Sequence, residues 1–116
     1  MTDHIPAEVE QFLSEQILSV ENLEVLLLLA GTPDQWWSAT DAANVLYRRP
    51  ESVAFHLDAL HRAGLFNKYQ DQAAIFRYSP GSEAITRIVA AVERAYRERK
   101  DSVIEMIFAA PPSISH

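Results

Sequence analysis

The sequence contains no cysteine among its 116 residues. This absence excludes disulfide bonds and thiolate metal ligands, and it is compatible with a reducing compartment. Long apolar runs are also missing, because the longest strongly apolar stretch, residues 25–30, falls far short of the ~20 residues that span a bilayer. The first residues, Met-Thr-Asp-His, are acidic and polar and do not resemble an export signal. We therefore expect a cytoplasmic protein without membrane segments.

Basic residues are missing from the first part of the chain. Residues 1–35 hold seven acidic residues and no Lys or Arg, whereas residues 36–80 hold five basic and four acidic residues, and residues 81–116 hold five of each. The net charge of −6 argues against a protein that coats nucleic acid indiscriminately. The middle segment can still approach phosphate, although its nearly balanced charge adds little electrostatic attraction.

The sequence also lacks the usual signatures of catalysis and of metal binding. It has no Gly-rich phosphate loop and no Ser with a nearby His and carboxylate pattern. His56 and His61 lie five residues apart, which places them about 140° apart on a helix, and no further His or Cys completes a metal site. We therefore predict a protein that is not an enzyme and that needs no metal or cofactor.

The chain has the composition of a single globular domain, with 48% hydrophobic and 22% charged residues. Apolar spacing and breaker residues predict the order helix, helix, strand, helix, turn, helix, hairpin, helix. A first amphipathic helix follows Pro6, and Ser19 caps a second helix that is apolar enough to be nearly buried. Ser38 caps a short third helix, and a fourth helix begins near Pro50 and ends at Gly64.

A hairpin is predicted after the fourth helix. Two β-prone runs, residues 65–69 and 74–78, flank the polar segment 70–73. The adjacent Trp36 and Trp37 form a short extended piece before the third helix. We expect one indole to fill the core beneath the hairpin and the other to lie half exposed at the edge of a small sheet, with a ligand platform as the alternative.

The last predicted helix begins at the Ser82 cap, runs about 27 residues, and ends before Pro111. Apolar residues on it repeat with the spacing of a coiled-coil seam, interrupted once by Arg99. We predict that this seam is the interface of a homodimer, formed by Ile85, Val89, Val92, Tyr96, Val103 and Met106. The alternative is that the helix folds back on the acidic first helix of its own chain.

Two segments carry a family resemblance. They read SATDAANVL at residues 38–46 and SVAFHLDALHRAGL at residues 52–65, and the hairpin follows them. Together they resemble the bacterial winged helix-turn-helix regulators of the MarR and ArsR type, over about residues 19–80. The resemblance implies a mainly α fold with a small β-hairpin (α+β), namely a winged helix-turn-helix with additional N- and C-terminal helices.

The resemblance also divides the chain by role. Residues 1–18 would form an N-terminal helix, residues 19–80 the winged helix-turn-helix domain, residues 81–110 a long C-terminal dimerisation helix, and residues 111–116 a flexible tail. In such regulators a short helix braces a second one, the recognition helix, whose exposed face enters the major groove. Here the recognition helix would be about 51–63 and the wing about 66–78. The implied DNA-binding residues are Arg48, Arg49, Glu51, Ser52, Phe55, His56, Lys68 and Arg77.

Some of these residues admit a second interpretation. Arg48 and Arg49 are either phosphate contacts or a solvated turn that satisfies the last carbonyl groups of the preceding helix. Phe55 is either exposed or part of the core, and we expect it to be exposed because Val53, Leu57 and Leu60 already fill one stripe.

Two functions follow from this sequence. The first is a homodimeric transcription regulator that binds double-stranded DNA. The alternative is a non-catalytic module on the same scaffold that holds a protein partner, with weak or lost DNA binding.

Overall fold

The computed structural model describes residues 5–109 of the chain. Those residues form six helices and three strands, in the order α1 Ala7–Gln16, α2 Val20–Gly31, β1 Trp37–Ser38, α3 Ala39–Leu46, α4 Pro50–Arg62, β2 Phe66–Gln70, β3 Ala74–Tyr78, α5 Glu83–Glu98 and α6 Lys100–Ala109. The tail predicted over residues 111–116 lies outside the described residues. No helix within residues 5–109 is long and apolar enough to cross a membrane.

Serine side chains begin three of the helices. The hydroxyl oxygen of Ser19 accepts a hydrogen bond from the amide of Asn22 at 3.1 Å, which satisfies one of the free amides at the start of α2. Ser38 caps α3 in the same way, and Ser82 caps α5. The three caps predicted from the sequence are therefore confirmed.

The turn between α3 and α4 is fixed by the backbone conformations of its residues. Tyr47 ends α3 in the left-handed region, with a φ of 58°. Pro50 is the first residue of α4, where its missing amide hydrogen costs no hydrogen bond. Gly64 follows α4 with a φ of 90°, which a residue without a side chain adopts readily. Tyr47 and Pro50 therefore lie in the turn that joins α3 to α4, and Gly64 lies after α4, before β2.

The three strands form one antiparallel sheet in the order β1-β3-β2. Phe76 of β3 lies opposite Trp37 of β1 and Lys68 of β2. Trp37 is buried in the core and its indole Nε1 donates to the hydroxyl of Thr32 at 3.0 Å, while Trp36 remains partly exposed. The prediction that one tryptophan fills the core and the other lies partly exposed is confirmed.

Helix α2 runs through the centre of the core. Leu23, Val25, Leu26 and Leu29 are fully buried, as expected from the wide apolar stripe. Helix α4 packs against both α2 and α3, so the core holds the fourth helix from two sides. This arrangement makes α4 a rigid part of the domain and leaves its remaining side to solvent.

The single helix predicted from Ser82 onward is wrong in one respect. Arg99 leaves the helical conformation, with a φ of −137° and a ψ of 54°, and divides the segment into α5 and α6. Helix α1 packs against both halves. Val89 and Val92 of α5 and Val103 of α6 are buried inside the chain itself. The spacing that resembled an intermolecular seam is therefore accounted for, at these three positions, by packing within one chain.

Candidate nucleic-acid interface

Helix α4 has one buried side and one exposed side. Val53, Leu57 and Leu60 are at most 1% exposed and face the core. On the other side, Glu51 is exposed and the Phe55 side chain is 57% exposed. The interpretation that placed Phe55 in the core is therefore wrong, and the exposed one is confirmed.

His56 does not belong to the exposed side. It is 7% exposed, and its Nδ1 lies 3.0 Å from the side-chain amide nitrogen Nδ2 of Asn22 in α2. Because His56 follows Val53 by three residues, it shares the buried side of the helix. Burial lowers the pKa of His56 below its ordinary value, and the carboxylate of Glu21 acts in the opposite direction. A neutral imidazole is thus part of the contact between α2 and α4, and the prediction that His56 faces the groove is corrected.

The two arginines before α4 have different partners. The Arg48 guanidinium lies 3.0 Å from a carboxylate oxygen of Glu24 in α2, and this bond together with the charge of Glu24 raises the pKa of Arg48. The Arg49 side chain is 85% exposed, and its Nε is 3.8 Å from a carboxylate oxygen of Glu51. Neither arginine forms a hydrogen bond to the last carbonyl groups of α3 in the described structure. Arg49 is the guanidinium that solvent and ligands reach directly.

Both basic residues of the hairpin strands contact other side chains of the same chain. The Lys68 ammonium group bonds a carboxylate oxygen of Asp58 at 3.0 Å, and so ties β2 to α4. The guanidinium carbon of Arg77 lies 4.6 Å from the centre of a Trp36 ring. The hairpin tip, residues 71–73, is exposed and carries no base. The hairpin therefore presents side chains from the body of its strands and no cation at its end.

The sequence prediction missed the exposed side chains of α3. Tyr47 is 93% exposed, and Val45 is half exposed, on the helix that precedes the turn. The sequence did contain a signal for the exposure of Val45, because this residue lies outside the inward stripe formed by Ala42, Ala43 and Leu46. A non-glycine residue with positive φ is uncommon, and such residues concentrate at functional sites. Tyr47 is therefore a candidate contact residue, together with Arg49, Phe55 and the half-buried Ser52.

A cleft of about 750 Å³ lies between α2 and α5, and Tyr78 of β3 also lines it. Its walls include Leu27, Leu28 and Val89, and Glu24 and Tyr96 are among its polar lining groups. Burial raises the pKa of Tyr96. Glu24 lines this cleft and also binds Arg48, so the cleft and the start of α4 share one carboxylate. No group of three His, Cys, Asp or Glu residues within residues 5–109 is placed to hold a metal ion.

The residues predicted for a dimer interface differ in their surroundings. Ile85, Tyr96 and Met106 are half-buried, in contrast to the three buried valines of the same spacing. Phe108 in α6 is 78% exposed. The strongly exposed apolar ring of Phe108 thus lies near the end of α6, beyond the last residue of the predicted seam.

Neither a protein-family model nor a curated protein sequence matches the chain. Solved structures do resemble it. A possible transcriptional regulator from Methanosarcina mazei is 15% identical with a TM-score of 0.59, over 84% of each chain. A mutant MepR from S. aureus bound to oligodeoxyribonucleotide is 20% identical with a TM-score of 0.59, over 84% of this chain and 72% of that one. A mutant MarR from E. coli complexed with operator DNA is 13% identical with a TM-score of 0.56, over 88% and 73%.

These similarities establish the fold. The chain has the winged-helix architecture of MarR-type regulators, with helices added at both ends of the helix-turn-helix and its hairpin. The fold class predicted from the sequence is confirmed. At 13–20% identity the match does not by itself assign a function, which depends on the residues of the site.

Proposed function

We propose that this chain is a non-catalytic, DNA-binding transcription regulator of the cytoplasm. Helix α4 enters the major groove, and the hairpin β2–β3 lies beside the duplex. The observation that carries this proposal is the placement of α4, whose inner side is locked on α2 and α3 while its outer side, with Glu51 and Phe55, is open to solvent. Two proteins of similar fold, a MepR mutant and a MarR mutant, form complexes with DNA in their solved structures.

The exposed side chains define which contacts the duplex can receive. Arg49 supplies a charged contact to phosphate at the start of α4. Glu51 can accept a hydrogen bond from a cytosine amino group, Ser52 can serve either partner, and Phe55 can pack against a thymine methyl group. Arg, Asn and Gln, which read guanine or adenine in pairs of hydrogen bonds, do not occur in α4 before Arg62. Affinity for DNA therefore depends on shape and a few phosphate contacts.

The proposal includes a homodimer, because one recognition helix covers only half of a typical operator. Within residues 5–109, Phe108 in α6 and Leu18 before α2 are the most exposed large aliphatic or phenyl side chains outside the helix-turn-helix. We place the second copy on this terminal surface, together with the half-buried Ile85, Tyr96 and Met106. The two copies of α4 would then lie about one duplex turn apart, about 34 Å.

Salt dependence of duplex binding tests the DNA contact. Arg49→Ala is expected to lower the slope of log K against log salt by about 0.9, since one phosphate contact is lost. Arg97→Ala is the matched control, because Arg97 is also exposed but pairs with Glu93 on its own helix, far along the chain from the site. An unchanged slope for Arg49→Ala, or no duplex binding by the unaltered protein at low salt, would contradict the proposal.

Light scattering tests the dimer separately. The unaltered protein is expected to have twice the mass of one chain at micromolar concentration, and Phe108→Asp is expected to shift it toward the mass of one chain. A monomer in the absence of any substitution would contradict the homodimer. The circular dichroism of Phe108→Asp should stay that of the unaltered protein, since Phe108 is exposed.

A second candidate function rests on the exposed apolar groups of the helix-turn-helix. Val45, Tyr47 and Phe55 present more apolar than charged surface, which is typical of a surface that binds a protein. In this alternative the scaffold holds a protein partner and DNA binding is weak or lost. Phe55→Ser distinguishes the two functions if it abolishes the binding of a purified partner while the Arg49→Ala change leaves that binding intact.

A further inference from the structure

The outer surface of the sheet carries a connected set of aromatic and cationic side chains, which we call the outer sheet face: Trp36, Asn67, Tyr69, Ile75 and Arg77. Side chains alternate between the two faces of a strand, and the buried Phe76 of β3 points into the core. Its neighbours Ile75 and Arg77 therefore point outward, and the strand register places Tyr69 opposite Ile75 and Asn67 opposite Arg77.

Ring contacts join the three strand segments on this face. The Arg77 guanidinium lies over a Trp36 ring at 4.6 Å, and the rings of Trp36 and Tyr69 meet edge to face with centroids 6.4 Å apart. Tyr69 is 57% exposed and Trp36 is partly exposed, so both rings keep surface available to a ligand. The fold does not need these rings for its core, because Trp37, Phe66 and Phe76 fill the inner side of the sheet.

The charge of this face differs from that of the whole protein. Within residues 5–109, Arg77 forms no ion pair, whereas Lys68 on the other side of the sheet is paired with Asp58. The five side chains of the outer sheet face include one guanidinium and no carboxylate, in a chain with 16 acidic and 10 basic residues. The nearest acidic residues along the chain, Asp34 and Asp71, lie outside the strands. This face therefore favours an anionic partner with flat rings.

We propose that the outer sheet face binds single-stranded nucleic acid, with unpaired bases stacked on Tyr69 and Trp36 and with Arg77 contacting the backbone phosphate. Exposed aromatic rings on an antiparallel sheet, with a nearby cation, are the recurrent means of holding unpaired bases. Bases inside a duplex are already stacked on one another and do not expose their faces to such rings. The partner is therefore a single strand, and this site is separate from α4.

Intrinsic fluorescence provides a direct readout of this site. Trp36 lies on the outer sheet face and Trp37 is buried, so stacking of a base near Trp36 is expected to quench the emission of the full chain as oligothymidylate is added. Trp36→Leu should remove the quenching while Trp37 continues to emit. An RNA homopolymer of the same length tests whether the 2′-hydroxyl matters.

Substitutions on the face give the expected size of the effect. Tyr69→Ser should weaken binding of the single strand about 10-fold, because one stacked base is lost, and Tyr69→Phe should retain it. Tyr47→Ser is the comparison variant, since Tyr47 is an exposed tyrosine outside the sheet and belongs to the candidate duplex contacts, so its loss would match that of Tyr69→Ser only if the single strand bound at that site instead. Arg77→Gln should lower the slope of log K against log salt by about 0.7.

Three results would overturn the proposal. They are the absence of quenching by oligothymidylate at low salt, equal loss of binding in Tyr47→Ser and Tyr69→Ser, or a loss in Arg49→Ala as large as in Arg77→Gln. The last result would place the single strand on α4. Binding of a purified protein that Tyr69→Ser abolishes, with no binding of oligothymidylate, would assign the face to a protein partner instead. Failure of duplex binding by α4 would leave this test unaffected, because the probe is a single strand.

Discussion

The two sides of helix α4 are built from different chemistry. The inner side combines fully buried aliphatic side chains such as Leu57 with one buried polar contact, between His56 and Asn22. The outer side is exposed and carries Glu51 and Phe55, with Arg49 beside it as a cation. The inner side determines where α4 lies, and the outer side determines what it can contact.

The stability of the domain and the proposed recognition of DNA therefore depend on separate residues. A regulator with a strongly basic outer side gains affinity from phosphate contacts wherever it lands. In this chain Arg48 is held by Glu24 and Lys68 by Asp58, so much of the local positive charge is neutralised within the protein. The proposed DNA binding then depends on the shape of the outer side and on the rigid support beneath it.

The largest effect is expected at the centre of the inner side. Leu57→Ala removes a fully buried side chain from the contact of α4 with the core. Such a truncation leaves a cavity and should lower the free energy of unfolding by about 2–5 kcal/mol. Chemical denaturation measures this change. A loss below about 0.5 kcal/mol, the range of surface substitutions, would contradict the assignment of this side to the core.

A smaller but distinct loss is expected at the polar contact of the inner side. Asn22→Ala leaves His56 Nδ1 buried without its donor, and it also removes the oxygen that accepts from the amide of Leu18. The free energy of unfolding should fall by about 1–3 kcal/mol. Chemical denaturation compares the loss in free energy of unfolding of Asn22→Ala with that of His56→Gln, a variant that keeps an acceptor for the Asn22 amide. Equal losses in both variants would mean that the hydrogen bond is not the source of the effect.

The same contact should make stability depend on pH. The pKa of His56 is lower in the folded chain than the ordinary value of about 6.5, because burial disfavours the charged imidazole. The unfolded chain therefore binds more protons as the pH falls below about 6.5, and the free energy of unfolding should decrease there, by at most about 1.4 kcal/mol per pH unit for this proton. Above that pH the contribution of His56 is constant.

His56→Gln provides the control for this pH dependence, because glutamine does not titrate. Between pH 6.5 and the lowered pKa of His56, the free energy of unfolding should decrease less in this variant than in the unaltered protein. Thermal unfolding at several pH values measures this difference. An identical pH profile in both proteins would exclude His56 as the group responsible.

The smallest effect is expected on the outer side. Phe55→Ser changes an exposed side chain, whose ring meets the His56 ring edge to face at a centroid distance of 5.3 Å. The free energy of unfolding should stay within about 0.5 kcal/mol of the unaltered value. A much larger loss in denaturation would show that the two sides of α4 are not separable in the way described above.

The helix-turn-helix and its hairpin were predictable because their signals are local. Ser38 begins a helix, Pro50 opens the next and Gly64 ends it, and each residue acts on the backbone within a few positions of itself. The exposure of Phe55 followed from the number of apolar residues that one side of a helix can bury. His56 was assigned wrongly because a polar residue on the inner side needs a partner, and Asn22 lies 34 positions away in the sequence.

The terminal helices were predicted less well because their arrangement depends on distant contacts. The apolar spacing of residues 85–106 is the same whether the helix packs on a second copy or on α1. Neither Pro nor Gly marks the break at Arg99, and both α5 and α6 pack on α1. The ion pairs of Arg48 and Lys68 likewise join separate elements, so sequence spacing could not reveal that these candidate DNA contacts have carboxylate partners.

Protection of a unique thiol tests the central claim most directly. The chain has no cysteine, so Phe55→Cys and Gln11→Cys each introduce a single reactive group at an exposed position, and Gln11 in α1 lies outside both α4 and the proposed dimer surface. Added duplex DNA should slow the reaction of a maleimide with Phe55→Cys and leave the reaction with Gln11→Cys unchanged. Duplex that binds without slowing the reaction at position 55, or that slows both reactions equally, would contradict a role for the outer side of α4 in the major groove.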